Sequence, residues 1–196
     1  MTTAYPGLTL VVEDGTGLVD ANSYISLADA NTYHTNNGNF DWTKITDPSI
    51  QTLALMKATQ SVDILYGQEY YGIPRSQGQV RNDGTPYLQN LLFPRFTMVI
   101  NNIQVLQTGY IPVQLKRAVC EIALMWINGG STDDVIFPQP NQLKFITEKT
   151  IKVGGIATGV KFGKTVDTER YPGFWKIDKI IYPLLRRASN PSFISL

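Results

Sequence analysis

The 196-residue sequence predicts a mainly α fold, a small bundle of about four helices with β-hairpin excursions and an extended C-terminal tail. Three observations lead there. Apolar residues recur at helical spacing in three long segments. Two alternating segments, broken by Asn101-Asn102 and by Gly154-Gly155, read as hairpins. An apolar content of 43% suffices for one core of single-domain size. Residues 1–188 are therefore read as one domain and residues 189–196 as the tail.

The elements follow in order. Val11-Val12 is a short strand candidate running into Glu13-Asp14-Gly15-Thr16-Gly17, a turn sequence because Asp-Gly and Gly tolerate positive φ. Ser26 is placed to cap a helix through about Asn36, which Asn37-Gly38 ends. Asp47 caps the next, with Pro48 at the first position, where its missing N–H costs nothing. That helix runs to about Tyr66, with Leu55, Ala58, Val62 and Leu65 on one face, and Gly67 stops it.

Residues 68–94 are rich in Gly, Pro, Asn and Gln without a sustained period, and are expected to form a projecting loop. Residues 95–107 read as a hairpin whose arms flank Asn101-Asn102. After Tyr110 comes the strongest helical pattern, Ile111, Leu115, Ala118, Val119, Ile122, Ala123 and Trp126, with Asn128-Gly129-Gly130 as its stop. Residues 149–162 read as a second hairpin around Gly154-Gly155. A last helix, about 174–188, carries Ile177, Ile180, Ile181, Leu184 and Leu185 on one face, with Pro183 expected to kink it. Phe193, Ile194 and Leu196 in the tail need a cover, so a docking surface is expected there, together with Arg186 and Arg187.

Charge is nearly balanced, 17 basic against 16 acidic side chains, which predicts neither a polyanion-seeking nor an acidic protein. The balance is uneven along the chain: residues 1–139 sum to −5 and residues 140–196 to +6. No run approaches eighteen consecutive apolar residues and the opening residues lack a signal pattern, so no membrane association is expected.

Parts for catalysis are missing. His34 is the single histidine, so no multi-histidine metal site can form, and Cys120 sits in an apolar helical pattern as a packing residue. No phosphate loop and no nucleophile elbow occurs; Val153 to Gly159 lacks a following helix and reads as a bulged hairpin. The neighbouring acids Glu13-Asp14 and Asp133-Asp134 read as solvated turn residues. The expectation is a non-enzyme without catalytic residues, metal or cofactor. Ingredients for nucleic acid are Lys149, Lys152, Lys161 and Lys164 with Phe162 on the second hairpin, and Lys176, Lys179, Arg186 and Arg187 on the last helix. A solvated strand edge, which Lys commonly blunts, competes as the explanation of the hairpin lysines.

Several segments resemble, in order and nearly end to end, a family of phage and prophage proteins called DnaT-like single-stranded-DNA-binding proteins. The most specific is Val12-Glu13-Asp14-Gly15-Thr16-Gly17-Leu18 followed by Asp20-Ala21-Asn22-Ser23-Tyr24-Ile25-Ser26. Trp42, Leu53 to Thr59 with Asp63, and Leu91-Leu92-Phe93-Pro94-Arg95, with Phe where Trp is more usual, follow in place. Ile111-Pro112 through Leu124, then Lys152-Val153-Gly154 and Ile180 through Leu185, complete the match. Loop 68–94 and the tail depart from the family's shorter pattern.

The resemblance implies a structural head-to-tail adaptor of a tailed bacteriophage, because members look like the helical adaptors that form twelve-copy rings under the portal. Expected partners are then the portal protein, a tail or nozzle protein and copies of the chain, with genomic DNA passing through the lumen. The expected location is the virion neck, after assembly in the host cytoplasm. The alternative is a single-stranded-DNA-binding protein using the basic hairpin and the last helix.

Overall fold

The computed structural model of the chain describes residues 5–100, 103–105, 109–128, 148–153, 156–161 and 175–186. Among these residues are five α-helices: α1 (Leu27–Asn36), α2 (Phe40–Thr43), α3 (Pro48–Tyr66), α4 (Val113–Asn128) and α5 (Trp175–Ile181). Three two-stranded antiparallel ladders accompany them: β1 (Ile73–Pro74) with β2 (Arg95–Phe96), β3 (Met98–Ile100) with β4 (Ile103–Val105), and β5 (Glu148–Val153) with β6 (Ile156–Lys161). The fold is mainly α, and among the described residues the β-structure consists of these small pairs and isolated bridges.

The helices start where their capping chemistry places them. Ser26 Oγ accepts from the Asp29 N–H at 3.1 Å, and Asp47 Oδ1 accepts from the Ser49 N–H at 2.9 Å with Pro48 in the first turn. The core forms where α3 lies along α4, with α5 packed on α4, and α1 and α2 covering its remaining flank. Leu55, Ala58 and Val62 of α3 meet Leu115, Ala118, Val119 and Ile122 of α4, all fully buried. The alanines allow the two helices to approach, while the branched residues fill the space beside them. Ile177 and Ile181 bring α5 onto this core.

Four sequence expectations need correction. The helix from 174 to 188 ends instead at Ile181 and tightens into a 3-10 turn over Tyr182–Leu184. Pro183 has no N–H to continue the ladder, and Leu185 is already extended (φ −88°, ψ 144°), bridging to Tyr70. The projecting loop 68–94 is anchored at both ends: Tyr70, Gly72 and Pro74 are buried, as are Leu91, Phe93 and Pro94. Its middle, around Val80 to Leu88, faces outward, as do Ser76 to Gly78.

The hairpin expected over 95–107 is split, since Arg95–Phe96 pair with Ile73–Pro74 and only Met98–Ile100 pair with Ile103–Val105. Thr97, at φ 54°, turns the chain out of the first ladder and into the second. Glu13, read as a solvated turn residue, is buried. Its Oε1 accepts from the N–H groups of Gly15 (2.8 Å) and Gly17 (2.9 Å), and Oε2 from Leu18 (2.9 Å). The helix α2 was not expected at all; it carries Trp42 into the core.

The glycines of this N-terminal turn have a second reason to be there. Gly15 (φ 97°) lies against Gly109 (φ 82°), and a Cβ on Gly15 would fall on the Gly109 carbonyl oxygen. Only backbone without side chains can meet this closely at positive φ. The turn is thereby fastened just ahead of α4.

A further centre of hydrogen bonding organises the segment before β2. The Tyr24 hydroxyl donates to Asp63 of α3 at 2.8 Å, Asp63 Oδ2 accepts from the Leu92 N–H at 3.1 Å, and the Phe93 N–H donates to Tyr24 Oη at 3.2 Å. Burial raises the Asp63 carboxyl to about 6, against the hydrogen bonds from Tyr24 and Leu92 and the charge of Arg95. Arg95 is itself buried, and donates to the carbonyls of Tyr71 (2.8 Å), Gly72 (2.7 Å) and Leu92 (3.3 Å).

Candidate nucleic-acid interface

Helix α5 is short and two-sided. Ile177 and Ile181 point into the core, four residues apart. Trp175, Lys179 and Tyr182 lie at offsets of four and seven, which puts them together on the outward face. Trp175 is 70% exposed and Tyr182 52%, unusual for two large aromatic side chains side by side, and Lys179 between them is exposed. Arg186 follows beyond the 3-10 turn, also exposed.

The other charges of α5 are engaged by neighbouring helices. Lys176 Nζ lies 2.7 Å from Oε2 of the buried Glu121 of α4, whose Oε1 accepts from Tyr33 Oη at 2.6 Å. Burial and that hydrogen bond hold the Tyr33 phenol above its ordinary pKa. Asp178, the acid of α5, accepts from Tyr66 Oη at 2.6 Å. With Asp178 spent on α3 and Lys176 on α4, the outward face shows aromatic rings and positive charge. That combination suits a polyanion with stacked rings, since cations meet phosphates and exposed rings accept bases.

Arg186 connects this face to the buried Arg95. Its N–H donates to the Glu69 carbonyl at 2.6 Å, and its Nη2 reaches the Gly72 carbonyl at 3.4 Å, the same oxygen that Arg95 Nη2 holds at 2.7 Å. A second basic–aromatic group sits in the outward part of loop 68–94. The guanidinium of Arg75 lies 4.4 Å and that of Arg81 5.2 Å from the Tyr87 ring centre. Arg75 is held in place by Gly15 O (3.2 Å), Tyr87 Oη (3.2 Å) and Gln79 Oε1 (3.0 Å), whereas Arg81 is exposed.

The residues expected from sequence are distributed as follows. Lys149 and Lys152 lie on β5 and Lys161 on β6, in a ladder that pairs Lys149 with Val160, Lys152 with Ala157 and Lys161 with Glu148. Lys152 and Lys161 thus share one parity of the pleat, and Lys149 has the other. Phe162, Lys164, Arg187, Phe193, Ile194 and Leu196 lie outside the described residues. Asp133 and Asp134 do so as well. Sequence reasoning named Lys179 and Arg186 but passed over Trp175 and Tyr182. The signal was present in their offset from the Ile177–Ile181 face.

The groups weighed for catalysis are packed inside. Cys120 is fully buried and burial pushes its thiol up to about 12. His34 is fully buried too, stacked on Trp42 with ring centres 4.2 Å apart, and Asn39 Nδ2 donates to its Nδ1 at 2.9 Å. Burial first, and the charge of Lys176 second, lower its pKa to about 4, while Glu121 acts the other way. Among the described residues no group of three or more His, Cys, Asp or Glu side chains is arranged to hold a metal ion. No described helix is long and apolar enough to cross a membrane.

No match is found among curated proteins or among solved structures. A family model does match, that of the DnaT-like ssDNA binding proteins, over residues 8–195. This corrects the expectation of a bacteriophage head-to-tail adaptor: the match favours the alternative, a single-stranded-DNA-binding protein, over the main reading. The virion, connector, portal-binding and ring-forming roles expected with the adaptor are withdrawn. With nearly the whole length matched, the chain belongs to the DnaT-like ssDNA binding protein family.

Proposed function

We propose that the protein binds single-stranded DNA along the outward face of α5, and acts by binding rather than by catalysis. One observation carries the reading: Trp175 and Tyr182 stand exposed on either side of Lys179, with the acid of the same helix turned inward onto Tyr66. Unpaired bases stack on such rings whatever their sequence, and the lysine meets the phosphates between them. The family's description supports single-stranded DNA as the ligand. In this reading Lys149 and Lys152 of β5 and Lys161 of β6 are further candidates for phosphate contact. Double-stranded DNA, whose bases are already stacked, binds less well.

The test uses a property of the fold. Of the three tryptophans, Trp42 and Trp126 are buried and Trp175 is exposed, so quenching of intrinsic fluorescence by an oligodeoxythymidylate reports chiefly on Trp175. Read for parent and variants alike by the fluorescence anisotropy of a labelled strand, because the substitution removes the reporting indole, Trp175→Ala should weaken binding by about 1 to 3 kcal/mol per lost stacked base, roughly 5- to 150-fold, with little change in stability. Wild-type affinity in the double variant Trp175→Ala, Tyr182→Ala, or no affinity for single strands in the parent protein, overturns the proposal.

A further inference from the structure

Beyond the 3-10 turn that follows α5, Arg186 lines a cleft of about 170 Å³ together with Gly67, Gln68, Gly72, Gln77 and Arg95. Arg95, Arg186, Gln68 and Gln77 are among its lining residues, and among the described residues no acidic side chain lines it. The volume admits several waters, and so a tetrahedral oxyanion. Glycine is required at two lining positions for packing reasons. At Gly72 (φ 75°) a Cβ would meet Phe96 O, and at Gly67 it would meet Leu92 Cδ1. Their backbone is thereby held in fixed positions around the cleft.

Charge is what the cleft lacks. Arg95 uses three N–H donors on the carbonyls of Tyr71, Gly72 and Leu92, which among the described residues leaves two of its five. Arg186 touches the shared Gly72 oxygen only at 3.4 Å, the long limit of a hydrogen bond. The carboxylate nearest in function, Asp63, accepts from Tyr24 and Leu92. Burial, and then the charge of Arg186, hold the Arg95 guanidinium below its ordinary proton affinity, with the charge of Asp63 acting the other way. An oxyanion in the cleft would relieve that repulsion and take up the spare donors of a planar fork, which phosphate oxygens match.

We propose that the Arg95–Arg186 cleft is a phosphate-binding subsite. This rests on the proposed function, for the phosphate in question is a phosphodiester of the strand whose bases stack on Trp175 and Tyr182. The same chemistry would take free phosphate, and the two sources can be told apart. The variant is Arg186→Gln, because Arg186 is exposed and its main-chain bond to Glu69 survives substitution, whereas Arg95 is built into the fold.

Three probes are titrated at constant ionic strength: inorganic phosphate, an abasic oligodeoxynucleotide, and oligodeoxythymidylate. Inorganic phosphate binding is followed by the arginine Nε–H NMR signals. In the parent protein it should shift the Arg95 signal, and Arg186→Gln should remove that shift. The variant should also bind the abasic strand about tenfold more weakly and lower the slope of log K against log salt by roughly 0.7, one phosphate contact on a single strand. Arg186→Lys, which keeps the charge and loses the fork, should recover the salt slope and only part of the affinity.

Phosphate shifts in the parent with equal abasic-strand affinity in parent and Arg186→Gln identify free phosphate as the source and support the subsite. An unchanged Arg95 signal with phosphate, together with an unchanged salt slope in Arg186→Gln, overturns it. Failure of the stacking reading looks different: Trp175→Ala then binds thymidylate like the parent, while Arg186→Gln still loses the phosphate shift.

Discussion

Replacing His34 with Phe should tilt the pH dependence of folding one way, and replacing Asp63 with Asn should tilt it the other. His34 has a pKa of about 4 in the folded protein against 6.5 for the free side chain. Between those values the unfolded chain holds a proton that the folded chain does not, so stability rises with pH and is lost as pH falls through the window. Asp63 has a pKa of about 6 against 3.8, so here the folded chain holds the extra proton and stability falls as pH rises. Each tenfold change in proton binding is worth about 1.4 kcal/mol, which makes each group responsible for about 3 kcal/mol across its window.

The two contributions oppose and nearly cancel in the native sequence. Urea unfolding of the protein should therefore change little between pH 4.5 and 6.0 on their account. His34→Phe keeps a ring on Trp42 and leaves Asp63 uncompensated, so this variant should lose roughly 1.5 to 2 kcal/mol over that interval. Asp63→Asn leaves His34 uncompensated and should gain about as much. Any offset from the altered hydrogen bonds is the same at both pH values and drops out of the difference. If the three proteins give parallel stability curves, the assignment of opposite proton linkage to these two buried groups is wrong.

Other consequences can be measured with the same equipment. Glu13→Ala strands the N–H groups of Gly15, Gly17 and Leu18 and should cost about 3 kcal/mol in guanidinium unfolding, allowing for the carboxylate burial that is recovered. Gly15→Ala sets a Cβ onto the Gly109 carbonyl at a backbone angle of 97° and should lower stability by at least about 2 kcal/mol. Lys176→Met leaves Glu121 with Tyr33 alone among these partners and should cost about 1 to 2 kcal/mol. By contrast Lys179→Met should stay within about 0.5 kcal/mol of the parent in stability while weakening binding of oligodeoxythymidylate.

Local rules found the helices because local chemistry makes them. Ser26, Asp47 and Pro48 mark starts through bonds to residues two or three positions away, and such signals survive in a bare sequence. What escaped depends on partners far along the chain. Glu13 looked like a turn acid because nothing near it announces that Gly109 will cover the turn from the start of α4. Loop 68–94 looked free because its fasteners, Asp63 and Tyr24 at one end and Leu184 and Leu185 at the other, lie in other elements. Pro183 was read as a kink and acts as a stop, with Leu185 beyond it extended and bridged to Tyr70.

The interface was half legible. Lysines and arginines stand out in any composition count, so Lys179 and Arg186 were named. Trp175 and Tyr182 were not named, because apolar residues were sought on the buried face and these two lie at offsets that place them away from Ile177 and Ile181. The pairing of Arg186 with Arg95 spans 91 positions and has no sequence signature.

The double anchoring of the long connection between α3 and β2 has a practical corollary. Because its stem is secured by β1 on β2 and by Tyr71 on Leu184, the stretch from Asn82 to Thr85 behaves as the crown of an independent hairpin, closed by the Arg81 N–H on the Thr85 carbonyl at 2.7 Å. Lengthening a tethered crown costs only about 0.6 kcal/mol for each doubling. A graft spliced between Asp83 and Gly84, whether a fluorophore-bearing peptide or a foreign epitope, would ride on this body without the helices registering its arrival.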